Sequence, residues 1–392
     1  MLALLAQVTV ACADTRPTGP DEQPASEVHW ISVAAGGLAL NSLTCGLTAD
    51  YTAYCWGSNA GGALGGKSVN EARAPVAVSN VLKFKQLAPG SQHTCGISVH
   101  DTVYCWGDWD FTATGSSYDD LAAARVMNTG TPLVSLTSGS WRSCGLTMAG
   151  NAICWGGVPH RDSAFVTKEP YTLGGGKLFT TISAGNAGGA SYFCGVTHLS
   201  LAYCWGDNYS RSLGADATVP SILIPEPVAV AGGLRFKMLD AGYITCGIAE
   251  DDKVYCWGGE WSYPPFTNNV AGGPVPAPLH GGIQFATISV GGHHACGLTA
   301  AGEAYCWGSN DKGQLGDGTA ISGSNIPVHV AGGIVFTTIS AGNSHSCGTT
   351  AGGRAYCWGL NDSGQLGDGS VRSTAPLNDF RRVPTLVKNP AL

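Results

Sequence analysis

The sequence predicts an all-β fold, a seven-bladed β-propeller with one disulfide bond in each blade. Three observations lead to this prediction. A unit recurs seven times, with the first cysteines of successive units 49 to 52 residues apart. A second cysteine follows ten residues after the first in every unit. The composition is rich in Gly, Tyr, Trp, Val and Thr and lacks long Leu/Glu/Lys/Ala stretches, which favours short strands joined by turns.

The two cysteines of each unit lie across a predicted β-hairpin. In the sixth unit the segment is symmetric about Ala301, and the tip Ala300-Ala301-Gly302 suits a three-residue turn with a left-handed glycine. Folding there places the cysteines directly opposite each other, at the separation a disulfide needs. Each bridge should contribute roughly 2–3 kcal/mol by constraining the unfolded chain. The predicted bridges are Cys45–Cys55, Cys95–Cys105, Cys144–Cys154, Cys194–Cys204, Cys246–Cys256, Cys296–Cys306 and Cys347–Cys357.

Units of this length, with about four short strands each, are typical of propeller blades. The tripeptide C-W-G occurs in every unit, and we expect its tryptophan to wedge between neighbouring blades rather than to contact a ligand. Residues 29–33 occupy the place of the F-x-x-I-S strand that opens other units. Residues 383–387 match the P-V-x-V strand that closes them. The two terminal strands are therefore expected to complete one blade together.

Charge and cysteine usage narrow the class of partner. Of the 392 residues 12% are charged, and the formal net charge is −7. Nucleic acids and anionic membranes attract clusters of Lys and Arg, so neither is an expected partner. Seven cysteine pairs indicate an oxidising compartment, and the tight C-x2–4-C spacing of zinc sites does not occur in the sequence. We expect a monomer that acts outside the cytoplasm.

The first 28 residues have the composition of a leader followed by a tether. Residues 1–11 are apolar but too short to span a bilayer, as in a signal peptide, although a basic start is missing. Two readings of the leader, residues 1–13, stay open. In the first, Cys12 becomes a lipidated N-terminus, and this lipid is the only contact with a membrane that we expect. In the second, an ordinary signal peptidase cleaves the leader and releases the protein. Residues 14–28 are polar and Pro-rich, which predicts a flexible tether, and residues 29–388 are predicted to form the propeller.

Motifs with catalytic or nucleotide-binding chemistry are scarce. Residues 61–68, GGALGGKS, match the phosphate-loop pattern. However, residues 58–68 align without a gap on the SNDKGQLGDGT turn (309–319) of the sixth unit, and Pro75 leaves little room for the required helix. Three histidines lie two residues before the first cysteine of a unit, which predicts that they hydrogen-bond a turn: His93, His294 and His345. Four aspartates are expected to cap N-D-x-G-Q-L-G-D-G turns rather than to bind Ca²⁺: Asp311, Asp317, Asp362 and Asp368. We expect no enzyme activity, no metal and no cofactor.

Departures from the repeat are the best candidates for a binding site. Units two, three and five replace G-Q-L-G-D-G with other segments, and aromatic residues gather there or at nearby turns. Loops of equivalent register emerge on one face of a propeller, and Trp, Tyr and Arg are common anchors of binding surfaces. Alternatively, these side chains fill local core where G-Q-L-G is missing. The candidate binding residues are Trp109, Phe111, Trp141, Arg142, Trp261, Tyr263 and Phe266.

The repeat consensus C-G-L-T-x-x-G-x-A-Y-C-W-G-x-N-x-x-G-Q-L-G-D-G-T resembles the regulator-of-chromosome-condensation repeat. The resemblance covers residues 29–388 and is clearest in units six and seven. It implies a seven-bladed propeller, and the cysteine-rich version is similar to a bacterial secreted subgroup. The disulfides, the acidic charge and the leader argue against the nucleotide-exchange and chromatin-binding role known in that family.

Three functional hypotheses follow. The first is an extracytoplasmic, non-catalytic scaffold that binds an extracellular or envelope protein, or a glycan, through the aromatic loops. The second, which the family resemblance implies, is a secreted protein inhibitor of an enzyme such as a β-lactamase. The third is a propeller-based hydrolase or lyase acting on polysaccharides, although the sequence shows no paired-carboxylate signature for it.

Overall fold

The protein folds as seven four-stranded antiparallel sheets, which confirms the predicted seven-bladed all-β propeller. The computed structural model describes residues 28–38, 41–65, 70–78, 81–108, 125–156, 167–187, 190–208, 210–216, 218–220, 222–259, 273–370 and 379–390. In every sheet the strands are ordered as they occur along the chain, so each blade is one contiguous segment. We call its strands A to D, with A next to the central channel. No helix in the described ranges is long and apolar enough to cross a membrane.

The first four blades contain strands β1 to β16. Blade 1 comprises β1 (Trp30–Gly36), β2 (Leu43–Thr48), β3 (Ala53–Ser58) and β4 (Glu71–Ala77). Blade 2 comprises β5 (Phe84–Pro89), β6 (His93–Ser98), β7 (Val103–Gly107) and β8 (Arg125–Met127). Blade 3 comprises β9 (Leu133–Ser138), β10 (Arg142–Thr147), β11 (Ala152–Gly156) and β12 (Thr167–Thr172). Blade 4 comprises β13 (Phe179–Ala187), β14 (Ala190–Thr197), β15 (Ala202–Asp207) and β16 (Leu223–Ala229).

The last three blades contain strands β17 to β28. Blade 5 comprises β17 (Phe236–Ala241), β18 (Thr245–Ala249), β19 (Val254–Trp257) and β20 (Ala277–Pro278). Blade 6 comprises β21 (Thr287–Val290), β22 (His294–Leu298), β23 (Ala304–Ser309) and β24 (Gly323–His329). Blade 7 comprises β25 (Thr338–Ala341), β26 (His345–Thr349), β27 (Ala355–Leu360) and β28 (Phe380–Leu386).

Each blade is stapled by a disulfide between strands B and C, as predicted. Cys45 faces Cys55 in the β2–β3 ladder, and the other six pairs take the equivalent register. The Cα atoms of all seven pairs are 4.0–4.1 Å apart, close to the spacing of a non-hydrogen-bonded antiparallel pair. The bridges are buried, so each braces the middle of its blade.

The glycine that follows each first cysteine makes room for an aromatic ring. A Cβ atom on Gly348 would lie 2.6 Å from the ring of Phe336, which lies two residues before strand A of the same blade. Phe336 in turn packs against Trp358, with ring centroids 5.7 Å apart. The same arrangement occurs around Gly46, where Trp30 takes the place of the phenylalanine. The aromatic pair and the glycine therefore belong to one packing unit, which explains why they recur together.

The C-W-G tryptophan lies between blades, as the sequence predicts. The indole of Trp358 in blade 7 packs on Gly316 in the C–D loop of blade 6 and donates a hydrogen bond of 2.9 Å to the Gln314 carbonyl of that loop. The Ser346 hydroxyl of blade 7 donates to the same carbonyl at 3.1 Å. One oxygen therefore accepts two donors from the next blade. We call this contact the blade clip.

The clip recurs at two further junctions. Gln365 of blade 7 accepts hydrogen bonds from Trp56 (3.0 Å) and Thr44 (2.9 Å) of blade 1. Ala63 of blade 1 accepts them from Trp106 and Thr94 of blade 2, both at 2.9 Å. Residues 61–65 of the apparent phosphate loop therefore form the clip loop of blade 1. Strand β4 soon follows them, and Gly66, Lys67 and Ser68 lie outside the described residues.

The expectation that the terminal strands share one blade is wrong. Strand β1 is strand A of blade 1, whereas β28 is strand D of blade 7, because every blade uses four consecutive strands. Trp30 rather than His29 occupies the phenylalanine position of the opening strand. The ring closes through side-to-side contacts instead. Trp30 donates its backbone N–H to Gly353 (2.8 Å), and Arg73 of β4 pairs with Asp379 of blade 7 (2.9 Å).

Replacing Trp358 by phenylalanine should test the blade clip. The variant keeps an aromatic ring but loses the indole donor, so we expect the free energy of unfolding to fall by about 1–2 kcal/mol beyond the loss of ring area. The matched control is Trp307→Phe, because the buried Nε1 of Trp307 has no hydrogen-bond partner among the described residues. Denaturant unfolding with the disulfides intact measures the difference between the two variants. Equal destabilisation by both substitutions would contradict the clip.

Candidate functional site

The central channel opens on the face that carries the variable segments. Because neighbouring strands are antiparallel, the A–B and C–D connections of every blade lie at one end, which we call the upper face, and the B–C and D–A connections lie at the other, the lower face. The upper ends of all seven A strands line a cavity of about 220 Å³ at the channel mouth. The upper face therefore combines a concave centre with a rim of sequence-variable loops, as binding sites commonly do.

A ring of hydrogen bonds between blades builds the channel wall. The residue opposite the first cysteine in strand A accepts a hydrogen bond from a backbone N–H of the next blade, through a hydroxyl or carboxylate oxygen. Five N–H groups are held in this way: those of Ala35 by Ser340 (2.9 Å), Ala341 by Ser289 (3.0 Å), Val290 by Asp240 (2.7 Å), Ala241 by Ser183 (3.0 Å) and Ala184 by Thr137 (2.9 Å). Blade 1 has Ala34 at this position, and the facing residue of blade 2 is Pro89, which has no N–H to offer.

Asp240 is the carboxylate of this ring. Its Oδ1 accepts a hydrogen bond of 2.6 Å from the Ser183 hydroxyl of blade 4, and its Oδ2 accepts the Val290 N–H of blade 6. Burial raises the pKa of Asp240, although these hydrogen bonds lower it in part. Both oxygens are used in joining blades 4, 5 and 6, so Asp240 is a structural group rather than a free general base.

Amide and aromatic side chains ring the mouth above the wall. The rings of Tyr243 and His293 lie 5.6 Å apart, inclined at 34°. Backbone hydrogen bonds hold this part of the rim, from Tyr243 to Gly291 (3.0 Å) and from Asn186 to Gly242 (2.8 Å). A Cβ atom on Gly292 would lie only 2.2 Å from the amide oxygen of Asn343, so glycine permits that close approach. The rim is thus a rigid platform of planar groups suited to binding.

Sequence reasoning missed Tyr243, His293, Asn186 and Asn343. All four lie in or beside A–B turns, which the repeat consensus treats as part of the scaffold. The signal was available, because blade 5 has Tyr243 where blades 6 and 7 have Gly292 and Asn343. Comparison of the turns blade by blade, rather than of the C–D loops alone, would have found these residues.

A second set of side-chain contacts between blades lies directly behind the channel wall. His345 Nε2 is 2.8 Å from the Thr44 hydroxyl, and that hydroxyl donates to the Gln365 carbonyl. A hydroxyl has one proton to give, so His345 must donate from Nε2, and its buried Nδ1 is the unprotonated nitrogen. His294 forms the same relay with Ser346 at 2.6 Å, and His93 contacts Ser143 at 2.9 Å. The histidines are structural, but they bond a strand of the next blade rather than the predicted turn.

Of the predicted binding residues, the structure describes Trp141 and Arg142. Trp141 is half-buried in the A–B turn of blade 3, on the upper face, and its backbone N–H bonds the Ser191 hydroxyl of blade 4 at 3.1 Å. Arg142 is only 6% exposed, and burial lowers the pKa of its guanidinium, with Tyr171 and Asp207 acting in the opposite direction. Arg142 therefore belongs to the interior of blade 3, and Trp141 alone of this pair faces the rim.

The remaining candidates lie outside the described residues, but the ends of their segments are placed. Trp109, Phe111, Trp261, Tyr263, Phe266 and the leader residue Cys12 are in this group. Asp108, which precedes the first segment, bonds Gln92 of an A–B turn at 2.9 Å. Gly258 and Gly273, which flank the segment of residues 260–272, are joined at 2.9 Å. Both segments therefore start from the upper face, as the sequence predicts.

The aspartates of the G-Q-L-G-D-G loops cap turns, as expected. Asp317 accepts hydrogen bonds from the backbone N–H (3.0 Å) and the hydroxyl (2.7 Å) of Thr319. Asp368 accepts the Ser370 N–H (2.9 Å) and pairs with Arg381 (2.8 Å), interactions that lower its pKa against the raising effect of burial. In the described part of the chain, no group of three or more His, Cys, Asp or Glu side chains could hold a metal ion.

The repeat can now be compared with known families. A family model described as the regulator of chromosome condensation (RCC1) repeat matches residues 52–97, 301–348 and 352–391, and a second model of the same description matches residues 285–314 and 336–365. The chain therefore contains RCC1-type repeats. Among curated relatives, the ultraviolet-B receptor UVR8 of Arabidopsis thaliana is 28% identical over 189 residues, which cover 46% of this chain and 42% of UVR8. The match thus spans less than half of that relative.

Solved RCC1-type structures share the fold. Prp20p of Saccharomyces cerevisiae, which binds Gsp1p and histones, superposes with a TM-score of 0.73 at 21% identity, over 86% of this chain and 85% of that one. The ectodomain of the Arabidopsis thaliana receptor kinase ACR4 gives a TM-score of 0.53 at 22% identity, over 85% of this chain and 96% of that one. An RCC1-type propeller is in general a scaffold for binding proteins.

The buried histidines predict acid sensitivity. Burial lowers the pKa of His93 to about 4 and that of His294 and His345 to about 3, from 6.5. Between these values and pH 6.5 the unfolded chain binds more protons, so stability is lost as the pH falls. Each histidine should lower the free energy of unfolding by about 2 kcal/mol between pH 7 and pH 5.

His345→Gln should reduce this loss by about 2 kcal/mol, since an amide can still donate to Thr44 but does not titrate. The exposed His198→Gln is the matched control, and unfolding curves at the two pH values give the comparison. Asp240 acts in the opposite direction in every variant, because its raised pKa favours the folded state on acidification. An unchanged pH dependence in His345→Gln would contradict the assignment.

Proposed function

We propose that the protein is an extracytoplasmic scaffold that binds a protein partner through its upper face. The observation that carries the proposal is the convergence on that face of the channel mouth, the aromatic and amide rim and the variable C–D segments of blades 2, 3 and 5. The lower face has short hairpins of nearly constant length. Sequence variation confined to one end of a repeated scaffold is what a binding surface requires.

The extracytoplasmic part of the proposal is supported by the disulfides. Seven intramolecular bridges suggest an oxidising environment, because cytosolic thiols are kept reduced. The apolar run of residues 1–11 adds a predicted export signal. The fold similarity to the ACR4 ectodomain agrees with a propeller that works outside the cell.

The chemistry of the rim favours binding over turnover. Tyr243, Asn186 and Asn343 line the mouth, the His293 ring lies 5.6 Å from that of Tyr243, and Trp141 is half-buried in the A–B turn of blade 3. Aromatic side chains of this kind anchor protein interfaces. The carboxylate nearest to the mouth, Asp240, has both oxygens engaged. The predicted aromatic residues Trp109 and Trp261, on segments that start beside this rim, would extend the same surface.

Capture from envelope extracts tests the proposed surface. We expect immobilised wild-type protein to retain a partner, and the double variant Trp141→Ala/Tyr243→Ala to lose about 90% or more of it, since interface aromatics commonly contribute 2 kcal/mol or more. The double variant Ile326→Ser/Val383→Ser, on the outer strands, is the control and should retain the partner. Retention by both variants would contradict the proposal. A retained glycan would indicate the glycan-binding alternative, and a retained hydrolase the inhibitor alternative.

Lipid labelling separates the two readings of the leader. If Cys12 is the lipidated N-terminus, the wild-type protein should incorporate labelled fatty acid and Cys12→Ser should not. The fourteen other cysteines form the seven bridges and serve as the internal control. Absence of label from an exported, shortened wild-type chain would favour free secretion. Retention of the reduced protein in the cytoplasm would contradict the extracytoplasmic location altogether.

A further inference from the structure

The lower face is apolar in blades 1 to 4 and charged in blade 5. Large hydrophobic side chains project there from hairpin tips and from D–A connections, with exposures of 89% for Met148, 86% for Val81 and 67% for Leu199. Isolated exposed hydrophobic residues are common on proteins and need no explanation. The six below all lie at the lower ends of blades 1 to 4, Val335 (54%) lies at the D–A connection of blades 6 and 7, and the other exposed hydrophobic residues lie on strands or on the upper face. We call the following set the lower crescent: Tyr51, Val81, Val99, Met148, Leu178 and Leu199.

The members of the lower crescent form two groups of the same construction. In each, a D–A connection lies between the hairpin tips of two successive blades. Leu178 precedes Phe179, whose N–H bonds Gly150 of the blade 3 tip (2.8 Å) and whose ladder partner is Thr197 of blade 4. Met148 and Leu199 thus flank Leu178. In the second group the same kind of bonds hold Phe84 beside Tyr51 (2.9 Å) and Lys83 beside Val99 (3.1 Å), and Val81 lies two residues before Lys83 in this D–A connection.

Several charges beside the lower crescent are paired. Lys83 bonds Asp50 at 2.6 Å, and Lys85 pairs with Asp101. Two cations add to these pairs: Lys177, next to Leu178, stacks on the ring of Tyr203, and Arg235 donates to the carbonyl of Leu199 at 2.5 Å. The tip of blade 5, which carries Glu250, Asp251 and Asp252, lies beside Arg235. The lower crescent is therefore an apolar surface with a cationic edge, bounded by an acidic tip.

The chain joins the propeller on this same face. His29 lies between the tips of blades 7 and 1, since its carbonyl accepts the Ala49 N–H (2.8 Å) and the next residue, Trp30, bonds Gly353. Sixteen residues (13–28) separate this point from Cys12, and the apolar run 1–11 precedes that cysteine. A membrane-directed leader would thus be joined to the propeller beside blade 1, where the lower crescent begins.

We propose that the lower crescent rests on the surface of a lipid bilayer. Side chains on separate protruding tips suit insertion among lipid headgroups better than they suit a protein partner, which needs one continuous packed surface. The cations at its edge suit contact with lipid phosphate groups, and the acidic tip of blade 5 stays in water. The upper face then points away from the membrane, toward the partner. This inference rests on the extracytoplasmic location but not on the identity of that partner.

Binding to phosphatidylcholine vesicles tests the proposal. All proteins are full-length and carry Cys12→Ser, so that no lipid anchor contributes and the leader is identical throughout. The test variant is Met148→Ser/Leu199→Ser. The control, Ile326→Ser/Val383→Ser, removes exposed side chains from the outer strands of blades 6 and 7. Co-sedimentation should show the partition coefficient of the test variant reduced by about tenfold, with the control within about twofold of the parent protein.

The salt dependence of vesicle binding and the thermal stability of the variants provide two further controls. About 0.5 M NaCl should leave vesicle binding nearly unchanged, because phosphatidylcholine carries no net charge. All four substituted positions are exposed, so thermal unfolding should be the same in the three proteins. Equal vesicle binding by test and control variants would overturn the proposal, as would a test variant that loses a protein partner rather than lipid. Capture through the upper face should survive Met148→Ser/Leu199→Ser, so this failure is distinguishable from failure of the proposed function.

Discussion

One carbonyl oxygen in each complete C–D loop holds two blades together, and much of the repeat consensus can be explained by it. The oxygen of Gln314 takes the indole N–H and the hydroxyl of the next blade at once. The loop that presents it needs Asn310, whose side chain accepts the Leu315 N–H at 3.1 Å, and glycines with positive φ on both sides. The Ser346 hydroxyl in turn fixes the tautomer of His294, which lies behind the channel wall. Tryptophan and hydroxyl recur because they meet at one acceptor, asparagine because it shapes the loop that presents this acceptor, and histidine because it bonds the hydroxyl.

The sequence was sufficient for those features that depend on contacts within a blade. The ten-residue cysteine spacing specifies the hairpin, its register and the bridge, because antiparallel pairing leaves a single geometry. Contacts between blades were harder to predict. The C-W-G tryptophan was recognised as a wedge, but its acceptor lies in a different repeat, and the partner of His345 is 301 residues away. The prediction of how the ring closes was wrong for the same reason. A blade shared by the two termini and a side-to-side contact between two complete blades leave similar strand patterns in the sequence.

The candidate site was predicted only in part, and the reason is again physical. Repeat-breaking aromatic residues mark loops, and the described loop ends do lie on the upper face. Whether a side chain near a loop faces solvent depends on its neighbours in the next blade. Arg142 occupies the position of the buried histidines, yet the residue of the next blade that corresponds to their hydroxyl partners is Phe193, and Arg142 is buried all the same. Tyr243 lines the channel mouth, and its ring lies 5.6 Å from that of His293.

Loss of the clip at some junctions explains how the upper face became free to vary. The buried indole N–H groups of Trp155, Trp205, Trp257 and Trp307 have no partner in the described part of the chain. Three of them follow blades 2, 3 and 5, whose C–D segments depart from G-Q-L-G, and Trp257 follows the R-S-L-G loop of blade 4. Those junctions keep their channel-side bonds, from His93 to Ser143, from Ala184 to Thr137 and from Val290 to Asp240. The seven disulfides brace each blade without any help from its C–D loop. With blades held from within and along the channel, a C–D loop can be replaced at the expense of one or two hydrogen bonds, and the upper face can acquire new binding residues while the ring stays closed.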